Sequence, residues 1–416
     1  MRPPSAVLFI APALFLARAA GAAASVPRWT AARGDPSKPL GGWPRVSGAT
    51  ASLVYRATSA IGSYNHAAML TYGGEEGDAP LFTLSWKNSP VDEDEPGQRV
   101  LYSQSTSGAT WTPTDGTNIL FPNISSTRAP AALFAGPFAW VGGRLYASAS
   151  PTQFCLFPDA YAPVLLLRRV HTNASGVLGP AYWASPQPPP KFAAAARLAG
   201  VRDLAEVDAQ AQADAAALLA GALPCDVPGG DATATKCEAC GGGGCQKWSA
   251  AAALGNERTH YTVPGAAGGH NATDDVLLYR SKESLLYASV RSAPGADAWS
   301  APKKTDMPND NSNLNAGALP DGRRYLFSNA MPYKIRDPLV IATSRDGAAW
   351  DTARVAMTCT DLPDGSDCKA RYAGKAKNPG PSYPQAVAVP ALGAVFVVAT
   401  NNKEDVVVAR LPLESL

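Results

Sequence analysis

The chain has 416 residues, 46% of them hydrophobic, which is ample for a large core. Thirty-six Lys and Arg against 34 Asp and Glu leave a net charge of +2. That near balance, without a basic run, excludes the electrostatic footprint of a nucleic-acid-binding protein.

Residues 1–24 read as a secretory signal peptide. Arg2 supplies the positive start, Ala6 to Leu16 is an apolar stretch too short to cross a bilayer, and the small residues from Ala19 to Ala24 offer a cleavage site. No later stretch is long and apolar enough to span a membrane, so no integral membrane segment is expected after signal removal. Three Asn-x-Ser/Thr triplets, at Asn123, Asn173 and Asn271, agree with export and are the candidate glycosylation sites. Residues 25–50, rich in Pro, Gly and Arg, read as an extended lead-in.

From residue 51 to 416 strand signals dominate. Ser52–Arg56, Met69–Tyr72, Leu81–Trp86 and Arg99–Ser103 alternate or run apolar between turn residues, and read as one four-stranded unit. Leu101 to Trp111 returns as Leu339 to Trp350, and more loosely as Leu286 to Trp299. Each copy is a strand, a Gly-bearing turn and a Trp that opens the next strand. A unit repeated in this way must bury its apolar face on its neighbours, and for four-stranded units the solution is a β-propeller. The fold class is therefore all-β. Six blades fit the repeat best, the last closed by N- and C-terminal strands together, with five or seven as alternatives. The three Trp side chains are expected to lie buried between strands.

One stretch departs from the pattern. Between Lys191 and Leu223, Leu198, Val201, Leu204 and Val207 recur at helical spacing, after a Pro-rich run and before Gly241–Gly244. Residues 185–255 read as a helical insertion, either a surface excursion or a wall over the axial pocket. Cys225, Cys237, Cys240 and Cys245 cluster within it, and Cys359 and Cys368 flank a turn. In an exported chain these six are disulfide candidates rather than zinc ligands. Cys155, in an apolar strand, reads as a buried free thiol. No metal and no cofactor are called for.

The phrase Ser344-Arg-Asp-Gly-Ala-Ala-Trp350 resembles the Asp-box, or BNR repeat, of sialidase-superfamily propellers. Tyr64-Asn-His66, the run from Asp92 to Arg99, Asn256-Glu-Arg-Thr-His-Tyr261, the run from Ser312, Arg336-Asp-Pro338, Tyr383-Pro-Gln385 and Asn402–Asp405 are similar to phrases of an exo-alpha-sialidase-like group. At Ser105–Trp111 the Asp of the box is replaced by Ser107, and the Phe-Arg-Ile-Pro motif of well-studied sialidases is absent.

The resemblance implies a site with three arginines gripping a carboxylate, a Tyr nucleophile polarised by a Glu, and an acidic proton donor. Arg suits a carboxylate because its planar fork binds it bidentately. The candidates are Arg99, Arg258 and Arg336, with Tyr383 as the phenol and Glu257 as its partner. His66 and His260 are further acid–base candidates. The run Asp92–Glu95 offers a general acid without singling one out. Asn65, Gln98, Asn313, Asn315, Asn329, Gln385, Asn402 and Lys403 lie in the same phrases and suit sugar hydroxyls. The expected function is cleavage of a terminal, possibly acidic, sugar from a glycan or glycoconjugate. The alternatives are a non-catalytic sugar-binding propeller and a polysaccharide lyase using His66 or His260 with Tyr383. Oligomeric state is left open.

Overall fold

The structure is a computed structural model. It describes residues 26–90, 92–93, 95–126, 132–152, 165–172, 178–184, 190–219, 254–264, 273–291, 299–332, 334–362, 368–375 and 377–416. The signal segment, Cys155, the four clustered cysteines, Asn173 and Asn271 lie outside these residues.

Five four-stranded antiparallel sheets carry the described chain. The first is Tyr64–Gly73, Leu81–Ser89, Arg99–Ser105 and Ile119–Phe121; the second is Ala132–Val141, Arg144–Thr152, Leu166–Val170 and Leu178–Trp183. The third is Leu254–Pro264, Thr273–Ser281, Leu285–Arg291 and Lys303–Pro308; the fourth is Asn315–Ala318, Arg324–Ser328, Leu339–Ser344 and Thr352–Met357. The fifth joins Pro381–Val389, Ala394–Asn401 and Asp405–Pro412 to the N-terminal strand Thr50–Tyr55. Ser52–Arg56 thus does not open the first sheet as its position in the sequence suggests; Ile119–Phe121 completes that sheet instead. The reason is closure: an N-terminal strand paired to Asp405–Pro412 ties the two ends of the chain together. The expected closure of the last blade by N- and C-terminal strands is this fifth sheet, and the described residues form five four-stranded sheets in all.

The alternation within a strand explains the stacking. Along Ala394–Asn401, Val395, Val397 and Ala399 pack with Phe327, Leu339 and Ile341 of the fourth sheet. Ala394, Phe396 and Val398 pack with Phe82, Leu84 and Trp86 of the first. A strand whose two faces serve two different neighbours must be apolar throughout, because successive side chains point to opposite sides. The same division sets Leu326 and Ala342 against the third sheet and Met69 and Val100 against the second. This face-to-face order is that of propeller blades.

The repeated phrase is a hairpin cap. Ser344 Oγ accepts from Gly347 N at 2.8 Å, and Asp346 accepts from Ala348 N and Ala349 N at 2.8 Å each. Gly347 has φ +71°, and a Cβ there would meet Val263 at 2.0 Å, so glycine is required. In the other copy Ser107 does the work of Asp346, at 3.2 and 3.4 Å from Ala109 N and Thr110 N. Trp111 and Trp350 are buried as expected. Trp299 departs from expectation: it is half-buried, outside any strand, with the Arg291 guanidinium 4.8 Å above its ring.

The lead-in is docked. Arg28–Trp29 pairs in parallel with Ala349–Trp350, and Trp29 and Trp43 are buried. The insertion has two described helices, Pro190–Leu198 and Ala209–Ala217. The four apolar residues at helical spacing do not form one stripe. Gly200, at φ +82°, ends the first helix, leaving Leu198 exposed while Val201 and Val207 are buried outside the helices. Buried Asp214 fastens the second helix to the second sheet, accepting from Arg144 at 2.7 Å twice and from the Tyr146 hydroxyl at 2.6 Å. Cys359 and Cys368 form a disulfide. Asn123 is exposed.

Candidate functional site

Strands alternate in direction, so one end of the stack gathers three kinds of segment. These are the starts of first strands, the ends of second strands with their following loops, and the connections between sheets. Four first strands carry register shifts, between His66 and Met69, Ala135 and Phe138, Leu254 and Arg258, and Ser382 and Gln385. Such bulges re-aim side chains. Among the described residues eight non-glycine residues have left-handed backbone, and Ala67, Asn311, Lys334, Tyr383, Asn402 and Lys403 are all at this end. Backbone strain of this kind persists only where the surroundings enforce it, and it concentrates at functional sites.

Tyr383 is at the centre. Its hydroxyl accepts from Arg280 Nη1 at 2.7 Å, and its ring lies 3.9 Å from the His66 ring, edge-on at 63°. The guanidinium carbons of Arg280 and Arg336 are 5.9 and 5.5 Å from the Tyr383 ring centre, and Lys403 Nζ is 5.7 Å away. Arg280 Nε also donates to Asn311 Oδ1 at 2.7 Å. Arg336 is buried at 3% exposure, yet its contacts are two neutral oxygens, Ser382 Oγ at 3.4 Å and Asn311 O at 3.3 Å. Its Nε has no partner. A buried cation left so poorly matched is costly unless something anionic completes it.

Charges around this core are uneven. Burial first, then Lys403, Lys87, Arg336 and Arg280, hold the His66 imidazole well below its ordinary range, so it is neutral. Its Nδ1 is 3.3 Å from Thr400 Oγ1, and its Nε2 has no hydrogen-bond partner, with Glu93 at 4.0 Å. Lys403 Nζ donates to Glu93 at 2.7 Å. Burial, with Arg336 and Lys87 assisting and Glu93 opposing, brings the Lys403 ammonium down to about 8. Burial pushes Glu93 up, but Lys403 and Lys87 outweigh it and hold the carboxyl below the ordinary range. Burial raises Asp310, whose Oδ2 is unpartnered.

A strap crosses the Lys403–Glu93 pair. Glu404 accepts from Arg371 N at 2.9 Å, Tyr372 N at 2.8 Å and Lys377 Nζ at 2.9 Å. Lys375 N donates to both oxygens of Asp92, and Lys375 Nζ donates to Glu95 at 2.7 Å. Residues 368–375 with Lys377 therefore bind the loop that carries Glu93 to the hairpin that carries Lys403. Asp92 and Glu95 face the strap, and Glu93 is the described member of the acidic run that faces the site.

The sequence-predicted residues separate into groups. His66, Arg336, Tyr383 and Lys403 come together. Arg99 does not join them: it donates to Asn88 Oδ1 and Ile61 O, each at 3.0 Å. Asn88 in turn donates to Asn65, and Asn65 donates to Glu404 O, so these residues support the hairpin from below. Gln98 donates to Asp92 O. Asn329 holds the carbonyls of Arg336 and Pro381, at 2.7 and 2.9 Å. Asn315 and Gln385 clasp the fourth and fifth sheets, Asn313 caps Leu314 N, and Asn402 binds Gly380 and Lys369. His260 is elsewhere, on the first strand of the third sheet with Nε2 3.0 Å from Asp275 of the second strand. Glu257 and Arg258 lie on Leu254–Pro264, with Arg258 opposite Tyr279; their side chains are outside the described residues. The residues not anticipated are Arg280, Lys87 and Asp310. Arg280 ends the apolar run Val276–Tyr279, and a charge closing a second strand was the available signal.

Among the described residues, the grouping of Cys and carboxylate close enough for a metal is Asp337 with Cys359 and Cys368, and there the sulfurs are bonded to each other. No described helix is long and apolar enough to cross a membrane.

Residues 267–397 match the BNR repeat-like domain. No curated protein matches the chain. A solved structure described as a sialidase is 20% identical with a TM-score of 0.67, over 94% of this chain and 35% of that one. The Trypanosoma rangeli sialidase in complex with sialic acid is 10% identical at TM-score 0.44, over 92% of this chain and 60% of that one. The NanB sialidase from Streptococcus pneumoniae is 9% identical at TM-score 0.43, over 88% and 71%. The chain thus spans about a third of the first structure's length and three fifths of the second's. The protein has a sialidase-like propeller fold, with a BNR repeat-like domain in its second half.

Proposed function

We propose that this chain is an exported glycoside hydrolase that removes a terminal sugar bearing a carboxylate. The observation that carries the reading is the Tyr383 hydroxyl, 2.7 Å from Arg280 Nη1, with buried Arg336 over the same ring. A guanidinium donating to a phenol oxygen favours the phenolate, which is the nucleophilic form. A second guanidinium with an unpartnered Nε offers a charge-assisted contact to the substrate carboxylate. The sugar's anomeric carbon would bond to Tyr383 Oη as the glycosidic oxygen leaves, and water would then release it. Export rests on the N-terminal segment and the Asn-x-Ser/Thr triplets.

His66 supports a second reading. A neutral imidazole with a free Nε2 beside Tyr383 is equipped to take a proton next to a carboxylate, as β-elimination of a uronate requires. A panel of acidic and neutral glycans, assayed for new reducing ends and for ultraviolet absorbance of an unsaturated product, separates the readings. Reducing ends without absorbance are expected. Absorbance would establish the lyase, and binding without either product would reduce the protein to a sugar-binding propeller.

A further inference from the structure

We infer that Lys403, paired with Glu93, is the proton carrier of this site, rather than a third cation for the substrate's carboxylate. The inference rests on the hydrolase reading above and adds to it the group that protonates the leaving oxygen.

The geometry argues first. Lys403 is at the tip of the hairpin between Ala394–Asn401 and Asp405–Pro412, and both Asn402 and Lys403 are left-handed. Every neighbour of the tip is tied down. Lys403 O accepts from Asn65 N at 2.8 Å, Asn402 binds Gly380 and Lys369, and Glu404 binds the strap. The long side chain is then only 2% exposed, with Nζ 2.7 Å from Glu93 and 5.7 Å from the ring centres of both Tyr64 and Tyr383. A lysine ordinarily keeps its rotamer freedom at the surface. Here the fold holds one ammonium in place beside Tyr383.

The residue type argues second. If the position served only to attract an anion, arginine would serve better, being always charged and able to bind a carboxylate with two donors. Lysine differs in that burial makes its proton exchangeable. The groups facing Nζ are Tyr64, His66 and Lys87 from the first sheet, Glu93 from the loop after its second strand, Arg336 from the loop before Leu339–Ser344, and Tyr383 from the fifth sheet. Together they bring Lys403 to about 8, while Glu93 stays ionised and His66 neutral. The ammonium, pinned between Glu93 and the Tyr383 ring, thus carries a proton that it can release. Of the acidic run's described members, Glu93 is the partner of Lys403, and Asp92 and Glu95 are engaged by the strap.

The step balances. Lys403 Nζ gives its proton to the glycosidic oxygen as the bond to the anomeric carbon breaks and the Tyr383 Oη–carbon bond forms. The aglycone leaves as an alcohol, and Lys403 is neutral. It then takes a proton from water, whose oxygen bonds to the anomeric carbon and displaces the Tyr383 phenolate. Glycoside and water become sugar and alcohol, and the enzyme is restored.

Two measurements test this. In the full chain carrying [6-13C]lysine, the Lys403 resonance is assigned by its loss in Lys403→Met and followed against pH. It should titrate near 8, and in Glu93→Gln lower still. Titration together with the surface lysines overturns the inference, whether or not a substrate has been found. On whichever 4-methylumbelliferyl glycoside the panel above finds to be turned over, Lys403→Arg keeps the charge but removes the exchangeable proton. We expect kcat to fall about a hundredfold or more, with KM within about threefold and the alkaline limb of the profile gone. An unchanged kcat in Lys403→Arg would show a merely anion-binding cation. Wild-type protein that turns over none of the glycosides counts against the hydrolase reading, which is a separate failure from a Lys403 that titrates normally.

Discussion

Lys403 and Glu404 are adjacent in one hairpin, yet they look into opposite kinds of charge cluster. On the Glu404 side, two carboxylates are answered by the chain itself: Glu404 by Arg371 N, Tyr372 N and Lys377, Asp405 by Ala57 N, Arg56 and Arg371. On the Lys403 side, Lys403, Lys87, Arg336 and Arg280 surround a neutral His66, and Arg336 Nε and His66 Nε2 are left unpartnered. The first cluster is complete and holds the strap. The second contains Glu93 and Asp310, yet leaves the Arg336 Nε without a partner, and that is where a further anion fits. Two clusters of similar burial are thus told apart by whether their polar atoms are satisfied.

The contrast can be broken at several points. Tyr383→Phe should lower turnover by about three decades or more while leaving acidic-sugar binding within a few fold, because it removes the oxygen proposed to attack and keeps the ring. Equal losses in both would mean that the phenol only holds the pocket together. Glu404→Ala belongs to the other cluster and should act on folding. Removing a buried carboxylate with this many donors should cost about 3–5 kcal/mol, read as a lower denaturation midpoint in urea. A variant as stable as wild type would remove the distinction between the two sides. Arg336→Ala should weaken binding of an acidic sugar by about one to two decades, from the roughly 1.5–3 kcal/mol of a charge-assisted contact.

A smaller effect concerns pH. His66 is neutral when folded and titrates near its ordinary 6.5 when unfolded. The unfolded chain therefore binds the extra proton as pH falls below about 6.5, and stability drops there by up to about 1.4 kcal/mol per pH unit from this group. His66→Gln should lose less stability than wild type between pH 7 and pH 5. Equal losses would place the imidazole in water. Smallest of all, Ser107→Asp should restore the charged cap of the second box and stabilise by about 0.5–1 kcal/mol, seen as a slightly higher melting temperature.

Much of the fold was legible because the strand repeat is a packing requirement. Val395 to Ala399 must be apolar on both faces, and an unbroken apolar run between turn signals shows it. The closing strand was legible as an idea but not in its partners, since Thr50–Tyr55 pairs with residues more than 350 positions away and nothing local records this. The site was half legible. Tyr383, His66, Arg336 and Lys403 stand in polar phrases at strand ends, where side chains have little else to do. Arg280 was missed because it closes a strand that otherwise reads as core. Sequence places Arg99 at the right end of the wheel without saying which way it points. Its register opposite Asn88 turns it to Ile61 and away from Tyr383. Position along a strand is periodic and can be read; direction at a bulge is set by neighbours that only the folded chain supplies.

The proposal at the centre is that a sugar carboxylate binds on the Lys403 side of the hairpin, at the unpartnered Nε of Arg336. Calorimetric titration of the full chain with N-acetylneuraminic acid and with glucuronic acid, against glucose as the neutral control and with Arg336→Ala and Glu404→Gln alongside, tests it most directly. The account predicts binding of at least one acid, none of glucose, a loss of about ten- to a hundredfold in Arg336→Ala, and affinity within about threefold of wild type in Glu404→Gln wherever that variant is folded. Equal binding of acid and glucose, or an Arg336→Ala variant that binds the acid as wild type does, would contradict it.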